Sequence, residues 1–143
     1  MRRTMPTTYD IRTDIPFPPL QRIDAGRLAE TAPSEWWNQS LARVNDCVVR
    51  LGVFKGEFHW HSHEREDEYF HVVEGRLLID LEPEGVEAGA ARDGGRSAEP
   101  GRTVEFNARQ GLLVPRGVLH RTRAPTRTVV LMFEAATVTP TGD

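Results

Sequence analysis

His59, His61 and His63 alternate with other residues within one short run, residues 56–63. Successive side chains of a β-strand point to opposite faces, so an extended run would place all three imidazoles on the same face. Neutral imidazole together with a carboxylate suits Zn, Fe, Ni, Mn or Co ions. The run therefore predicts one side of a metal site carried on a strand.

The carboxylate of such a site would come from the acidic stretch that follows the histidines. The candidates are Glu64, Glu66, Asp67 and Glu68. A chain reversal here would let Glu68, at the start of the next strand, face the histidines. Strand parity alone leaves the other three carboxylates open, because each can come close in a turn.

A further imidazole can reach the site from far along the chain. His120 follows the turn signal at residues 115–117, in which Pro115 fixes φ and Gly117 allows a sharp bend. The sequence predicts that this bend presents His120 toward the other histidines. Three histidines and one carboxylate would leave one or two positions for water, oxygen or substrate.

Two spacing patterns together resemble the two-part signature of the cupin barrels: His61-x-His63-x4-Glu68-x6-Gly75 and Pro115-x-Gly117-x2-His120. The resemblance implies an all-β fold, a jelly-roll barrel also described as a double-stranded β-helix. It further implies one divalent metal ion, Fe, Zn, Mn or Ni, inside the barrel. Its ligands, carried over position by position, are His61, His63, Glu68 and His120.

The wider similarity is to the small single-domain cupins, described as cupin-2, RmlC-like or mannose-6-phosphate-isomerase-like, and it covers residues 45–134. Two positions depart from the family pattern. Arg109 stands where a glycine usually opens the second motif, and Ala124 stands where an asparagine usually follows the last histidine after three residues. The departures affect a turn and a polar group of the pocket, and they leave all four ligands in place.

The chain divides into an N-terminal arm, residues 1–44, expected to pack on a cupin barrel formed by residues 45–143. The arm is rich in proline, with a short helix or turn expected within 26–39. Short apolar stretches separated by turn residues predict strands near 46–55, 56–63, 67–73, 76–82, 102–106, 111–114, 118–124 and 127–135. The segment between Glu82 and Gly101 has no apolar period and predicts a mobile surface loop.

Composition limits the classes of function. The 143 residues suit one domain, with 38% hydrophobic and 27% charged residues and a net charge of −3. No apolar run is long enough to cross a bilayer, and the basic residues form no stripe, which argues against membrane and nucleic-acid partners. A single Cys47 and a start without a signal-peptide pattern favour the cytoplasm.

His59 shares the predicted ligand face but lies outside the four-ligand pattern. We expect its ring deeper in the barrel than the ligands, where it is the candidate catalytic residue as a general acid or base. The alternatives are a substrate contact, a partner of a metal ligand, or a partly buried histidine without a chemical role.

Two other groups of residues carry alternative interpretations. Trp36 and Trp37 have three alternative interpretations: they close a substrate pocket, they form a dimer contact, or they pin the arm to the barrel. Arg116, Arg121 and Arg123 flank the second motif. They either receive an acidic substrate or are solvated at the barrel mouth.

Two hypotheses for function follow. The first is a metalloenzyme that acts on a small organic molecule, as an oxygenase or as an isomerase, epimerase or lyase. The second is a non-catalytic binding or sensing module with a structural metal. The resemblance also implies a homodimer, which would cover the exposed strand edges of a short jelly roll.

Overall fold

The computed structural model describes residues 9–82 and 101–143, so the predicted loop between Glu82 and Gly101 lies outside the described residues. The elements in chain order are β1 (Asp10–Arg12), α1 (Ala25–Glu30), β2 (Trp36–Val44), β3 (Cys47–Glu57), β4 (Glu68–Glu74), β5 (Arg76–Leu81), β6 (Arg102–Asn107), β7 (Gly111–Val114) and β8 (His120–Ala135). The all-β fold predicted from the sequence is confirmed.

The longest strand, β8, joins the two halves of the sheet. It pairs antiparallel with β5 through its first residues and with β3 and β4 through the rest of its length. The strand order along the main path is β1-β2-β3-β8-β4-β7, and β5 connects β6 to β8. The strands predicted at 118–124 and 127–135 are therefore one continuous element of 16 residues.

The inner core lies where alternate side chains of the strands point into the barrel. Phe70 and Val72 of β4 and Val130 and Met132 of β8 are buried in one cluster with aromatic residues of β2 and β3. Burial of each such side chain contributes about 1.5–3 kcal/mol. The positions between them on β4, such as His71, are only half-buried because they face outward.

Part of the predicted arm packs on the outer face of this sheet, beside β2 and β3. Phe17 and Leu28 pack against a second buried cluster that includes Trp37 and Leu51. Helix α1 begins at an Asp24 cap whose side chain accepts a hydrogen bond from the Arg27 N–H. This packing holds the described part of the arm on the barrel.

One segment assigned to the arm is itself a strand of the sheet. β2 pairs antiparallel with β3 over most of its length, and β1 adds to it in parallel. Trp36 faces the inner core and Trp37 faces the outer cluster, so the two tryptophans lie on opposite sides of the sheet. The boundary between arm and barrel at residue 44 stays a prediction.

The prediction of a separate strand at 56–63 is wrong. β3 already covers its first two residues and ends at Glu57, after a register shift between Phe54 and Gly56. The segment that follows is irregular, with one isolated bridge between His61 and His120. Phe54 and Phe58 are both buried in the inner core, so the inward phase of β3 continues past this shift. Strict alternation is lost only in the irregular segment that carries the histidines.

No helix in the described parts of the chain has the length and apolar character that crossing a membrane would require.

Candidate metal centre

Backbone pairing brings the three distant parts of the site together. His61 and His120 exchange both N–H to C=O hydrogen bonds, each at 2.9 Å, and the Gly117 N–H donates to the His63 carbonyl at 2.8 Å. Gly117 has φ +82°, the left-handed conformation that glycine adopts without strain. The turn before His120 therefore works as the sequence predicts, and it docks directly on the histidine segment.

Glu68 reaches the same place as the first residue of β4. It stands opposite Val114 of β7 and Glu134 of β8, on the inward face of both pairs. Its oxygen Oε1 lies 3.5 Å from Nε2 of His63 and 3.5 Å from Nε2 of His120. The carboxylate is therefore held by sheet register rather than by a flexible turn.

The four predicted ligands form one buried group, the four-ligand group of His61, His63, Glu68 and His120. One potential ligand atom from each lies within 4.8 Å of the others. Each residue is 7% exposed or less. Atoms this close to one another can share one ion, since the usual ligand distance for zinc is about 2.0–2.2 Å.

Several ligand atoms of the group have no hydrogen-bond partner and are suited to bind a cation. Nδ1 of His61 donates to the His59 carbonyl at 3.0 Å, and Nδ1 of His120 donates to the Val118 carbonyl at 2.9 Å. These bonds leave Nε2 of each ring as a lone-pair donor. Nε2 of His63, Nε2 of His120 and Oε1 of Glu68 are buried without a hydrogen-bond partner, a state that costs about 1–3 kcal/mol per atom. A divalent ion would satisfy them all.

The electrostatics keep the group in the form that binds metal. Burial, with the neighbouring His120, lowers the pKa of His61 to about 3, so its imidazole is neutral at physiological pH. Burial alone would raise the pKa of Glu68, but the neighbouring side chains of His120, His63 and Glu134 hold it well below its ordinary value. The neutral His61 imidazole and the Glu68 carboxylate are ligands that need not lose a proton first.

Behind Glu68, a chain of buried polar groups continues into the barrel. Its neighbour Glu134 is 4% exposed, and Arg50 Nε lies 3.5 Å from Glu134 Oε1. Burial and the Glu68 carboxylate raise the pKa of Glu134 to about 10. Arg50 also donates from Nη2 to the amide oxygen of Asn38. Arg50, Asn38 and Glu134 are site residues that the sequence analysis missed.

These polar groups and the four-ligand group share an inner cavity. The space open to the centre of a water molecule is about 20 Å³, enough for about one water. The residues that line the cavity are Trp36, Asn38, Arg50, Phe54, Phe58, His61, Glu68, Phe70, Thr122, Met132, Glu134 and Pro140. Trp36 therefore closes a pocket, as one interpretation of the sequence proposed.

His59 is not placed as predicted. Its side chain is exposed rather than deep in the barrel, and its Nε2 donates to the Thr141 carbonyl at 2.7 Å. Its ring centroid lies 5.5 Å from that of His61. Phe58 is in phase with Phe54 of β3 and faces the inner core, so His59 faces outward, and the irregular segment after it brings His61 and His63 to the inside. A catalytic role for His59 stays a prediction.

Two other carboxylates of the acidic stretch, those of Glu66 and Asp67, have partners outside the four-ligand group. Asp67 accepts from the Arg116 N–H at 2.9 Å, and Glu66 accepts from Thr137 at 2.8 Å. Glu66 also belongs to a second group, with His63 and Asp143, whose ligand atoms lie within 4.8 Å of one another. That group shares His63 and is partly exposed.

The arginines beside the second motif form ion pairs with aspartate side chains. Asp80, buried on β5, accepts hydrogen bonds from Arg121 at 2.8 Å and from Arg123 at 2.7 Å. Arg116 pairs with Asp67. None of the three lines the inner cavity.

A short segment at residues 136–143, the closing segment, runs over the histidine segment. Besides the bond from His59 to Thr141, the Asp143 N–H donates to the Ser62 carbonyl at 2.9 Å. Gly142 has φ +96°, and a Cβ there would lie 2.5 Å from Cβ of His61. The closing segment is thus fitted closely against a ligand of the four-ligand group.

No family model matches the sequence. The uncharacterized protein YdbB of Bacillus subtilis (strain 168) is 41% identical over 97 residues, which are 68% of this chain and 71% of that protein. A cupin-2 domain protein from Shewanella frigidimarina NCIMB 400 has a similar structure, with a TM-score of 0.61 and 26% identity over 79% of this chain and 93% of that one. The chain belongs to the small cupin family. The family interpretation of the two motifs is therefore confirmed.

Structural similarity also extends to more distant proteins. Hydroquinone 1,2-dioxygenase PnpCD, solved in complex with Fe³⁺, gives a TM-score of 0.66 at 12% identity. The match covers 83% of this cupin and 33% of the dioxygenase chain, so it shows a shared fold. In this cupin the fold brings together four side chains that can hold a metal ion.

Proposed function

We propose that this cupin binds one divalent ion, Fe, Zn, Mn or Ni, through His61, His63, Glu68 and His120. The observation that supports the proposal is the convergence of unpartnered, buried ligand atoms in the four-ligand group. The presence of Fe³⁺ in the structure of the related dioxygenase fold is consistent with iron as one candidate.

The activity that this site supports best is catalysis on a small organic molecule, of the oxygenase or the isomerase, epimerase or lyase type. A divalent ion there would polarise a bound oxygen atom as a Lewis acid or, as iron, support oxygen chemistry. The inner cavity beside it would bind and orient the molecule, and its aromatic walls would limit access of water. His59, at the solvent side of His61, would carry a proton to or from solvent.

The second candidate is a non-catalytic binding or sensing module with a structural metal. The small volume of the inner cavity favours it, because about 20 Å³ leaves little room for a substrate. The two candidates differ in what happens when a molecule is offered: an enzyme converts it, whereas a module only binds it.

Metal analysis of protein purified without a histidine tag tests the proposal. We expect about one equivalent of divalent metal in the wild type and little in His61→Ala. His71→Ala is the matched control, because His71 lies on the outward face of β4 and pairs with Tyr69. Loss of metal in both variants, or its absence from all of them after reconstitution, would refute the site.

His59 is tested separately. His59→Ala should keep the metal and lower turnover by a factor on the order of 10² to 10⁴ if it transfers a proton. Metal loss equal to that of His61→Ala would make it a ligand instead.

The remaining parts of the proposal concern the setting of the protein. We place it in the cytoplasm as a homodimer with a small-molecule ligand and without nucleic-acid or membrane partners. Residues 1–44 would act as an arm on a barrel formed by residues 45–143. Fractionation of the source cells tests the location.

A further inference from the structure

The wall of the inner cavity behind Glu68 is polar and cationic. Arg50 and Asn38 line it together with Glu134, among the aromatic side chains of the barrel. Arg50 is 3% exposed, although arginine is almost never fully buried unless it is paired. A buried ion pair contributes little net stability, because desolvation offsets the attraction of the charges. Net stability of the ion pair alone therefore gives little reason for a buried arginine at this place.

Two atoms of this wall lack hydrogen-bond partners. They are Nε of Arg50, a donor, and Oε2 of Glu134, and both are buried. Arg50 Nε is 3.5 Å from the other Glu134 oxygen, too far and too poorly aligned for a strong hydrogen bond. Unsatisfied buried groups next to a cavity mark a place where water or a ligand completes the bonding.

The formal charges favour an anion in this space. With a divalent ion in the four-ligand group, Glu68 and Arg50 cancel each other and leave a charge of about +2 when Glu134 is protonated. Ionised Glu134 would reduce the sum to about +1. The site is cationic in either state, and a buried net charge is costly until an opposite charge balances it. Arg116, Arg121 and Arg123 do not contribute, since they pair with Asp67 and Asp80 outside the cavity.

The cavity also limits the size of the ligand. About 20 Å³ is open to the centres of water-sized atoms, between walls that include Phe58 and Phe70. Because this space holds about one water, a carboxylate with one or two carbons needs a small movement of the walls, whereas a sugar or a nucleotide needs a large one.

We propose that the inner cavity is an anion site that receives a small carboxylate, with its oxygens between the four-ligand group and the guanidinium of Arg50. Arg50 is the residue that selects the negative charge, and Asn38 fixes the orientation of its guanidinium. The inference rests on the proposed function, because it takes the four-ligand group to hold a divalent ion. It names the substrate class of that function as small organic acids.

Cobalt(II)-loaded protein allows the test, since imidazole and carboxylate ligands suit this ion and its visible absorption responds to a new ligand. Acetate and acetamide have similar shape and differ in charge. We expect acetate to change the cobalt spectrum saturably and acetamide to bind at least about tenfold more weakly, which corresponds to about 1.4 kcal/mol. Equal responses to both would overturn the proposal.

Variants assign the selectivity to Arg50. The double change Arg50→Met with Glu134→Gln removes the buried pair together, so that neither charge is left alone. It should weaken acetate binding about tenfold or more and leave acetamide unchanged, and Arg50→Lys should retain part of the preference. The matched control is Arg76→Gln with Glu105→Gln, an exposed pair at 3.1 Å on β5 and β6.

Cobalt content, measured for every variant, separates this proposal from the proposed function. If the wild type takes up no cobalt, the metal site itself fails. If it takes up cobalt and acetate binds as well to the Arg50 double variant as to the wild type, the anion site fails and the metal site stands. Should the double variant not fold, the Arg50→Lys protein and the comparison of acetate with acetamide in the wild type decide the question.

Discussion

Glu134 is a buried acid that keeps its proton far into the alkaline range. Its pKa is raised from 4.5 to about 10, by burial first and by the Glu68 charge second. Between those two values the folded chain binds a proton that the unfolded chain has released. The free energy of unfolding therefore falls as pH rises from about 4.5, and this contribution is lost as pH passes the folded pKa.

We expect Glu134→Gln to remove most of this pH dependence in the metal-free protein, because an amide keeps the shape and has no proton to lose. Urea unfolding between about pH 6 and pH 9 measures it, and the wild type should lose up to about 1.4 kcal/mol per pH unit relative to the variant. Glu105→Gln, at an exposed carboxylate, is the control and should keep the wild-type slope. Identical slopes in Glu134→Gln and the wild type would contradict the prediction.

Motif spacing predicted the four residues that the fold brings together, because the spacing of each motif reflects the local geometry of its strand and turn. The sequence could not identify Arg50 and Glu134, since their pairing depends on strands β3 and β8, which are far apart in the chain. One signal was present: Arg50 interrupts the apolar run 47–54 of β3, and Glu134 directly follows the apolar run 129–133 of β8. His59 was misplaced for a related reason, because alternation holds only while a strand stays regular.

At the scale of the secondary-structure element, the turn between β6 and β7 contains one residue with a strained backbone conformation. Arg109 has φ +72°, and the Gln110 N–H donates to the Asn107 carbonyl at 3.0 Å across the turn. Glycine or asparagine is favoured at such a position, whereas other residues are strained there by about 1–2 kcal/mol. The family departure at Arg109 thus changes the residue and keeps the glycine-like conformation.

Arg109→Gly should therefore stabilise the protein by about 0.5–1 kcal/mol, the strain relieved less the greater entropy of glycine in the unfolded chain. Thermal or urea unfolding measures the change. Ala108→Gly, one residue earlier and without a positive φ, is the matched control and should be neutral or destabilising. A destabilised Arg109→Gly protein would show that the arginine side chain contributes more than the strain costs.

Because the closing segment packs closely against His61, we expect a bound metal ion to exchange slowly. Gly142→Ala would place a methyl group 2.5 Å from Cβ of His61, at a residue with φ +96°, so the segment must move away. We expect a chelator to strip metal from the loaded variant about tenfold faster than from the wild type. This ratio corresponds to an activation barrier for metal release that is lower by about 1.4 kcal/mol.

Gly26→Ala provides the control for this experiment, since its new methyl group would meet only Asp24 Oδ1 at an ordinary 3.6 Å. Its stripping rate should equal that of the wild type. Unchanged stripping in Gly142→Ala would mean that the closing segment does not limit access to the four-ligand group.

Short apolar stretches between turn residues could be predicted as strands, as β4, β5 and β7 illustrate. β2 could not be separated from the arm, because its place in the sheet depends on the long pairing with β3 rather than on its own composition. β8 was predicted as two strands, 118–124 and 127–135, and Pro125 lies in the gap between them, where proline cannot donate a ladder hydrogen bond. In the structure the strand continues past this residue.

At the scale of the whole molecule, the outer face of the barrel carries an uncovered apolar row. Leu113, Tyr69, Phe133 and Val49 stand opposite one another on four neighbouring strands. Leu113 is 54% exposed and Phe133 is 41% exposed. Contiguous apolar surface of this kind marks protein interaction sites, and a second copy of the chain is the partner that the homodimer prediction requires.

We expect light scattering to give twice the chain mass of 16.1 kDa, and a single chain mass for the double variant Phe133→Lys with Leu113→Lys. Charged residues facing each other across such an interface oppose association. Val44→Lys is the control, an exposed apolar residue at the end of β2 and outside this row. A wild type of one chain mass at high concentration would refute the dimer.

Metal removal should also lower the stability of the whole molecule, because the four-ligand group connects β4, the start of β8 and the irregular histidine segment. An ion that binds the folded chain and not the unfolded one stabilises it by about 2.7 kcal/mol when free metal is a hundred times its Kd. At about 3 °C per kcal/mol for a domain of this size, complete chelation should lower Tm by on the order of 8 °C, reversibly.

Calorimetry of loaded, stripped and reloaded protein measures this shift, and His61→Ala should show almost none of it. The result also separates the two candidate functions. If Tm stays constant after the metal has been removed completely, the ion does not hold the fold, and a structural role for it loses its physical basis. The four buried ligands would then be retained for what the ion does to a molecule in the inner cavity.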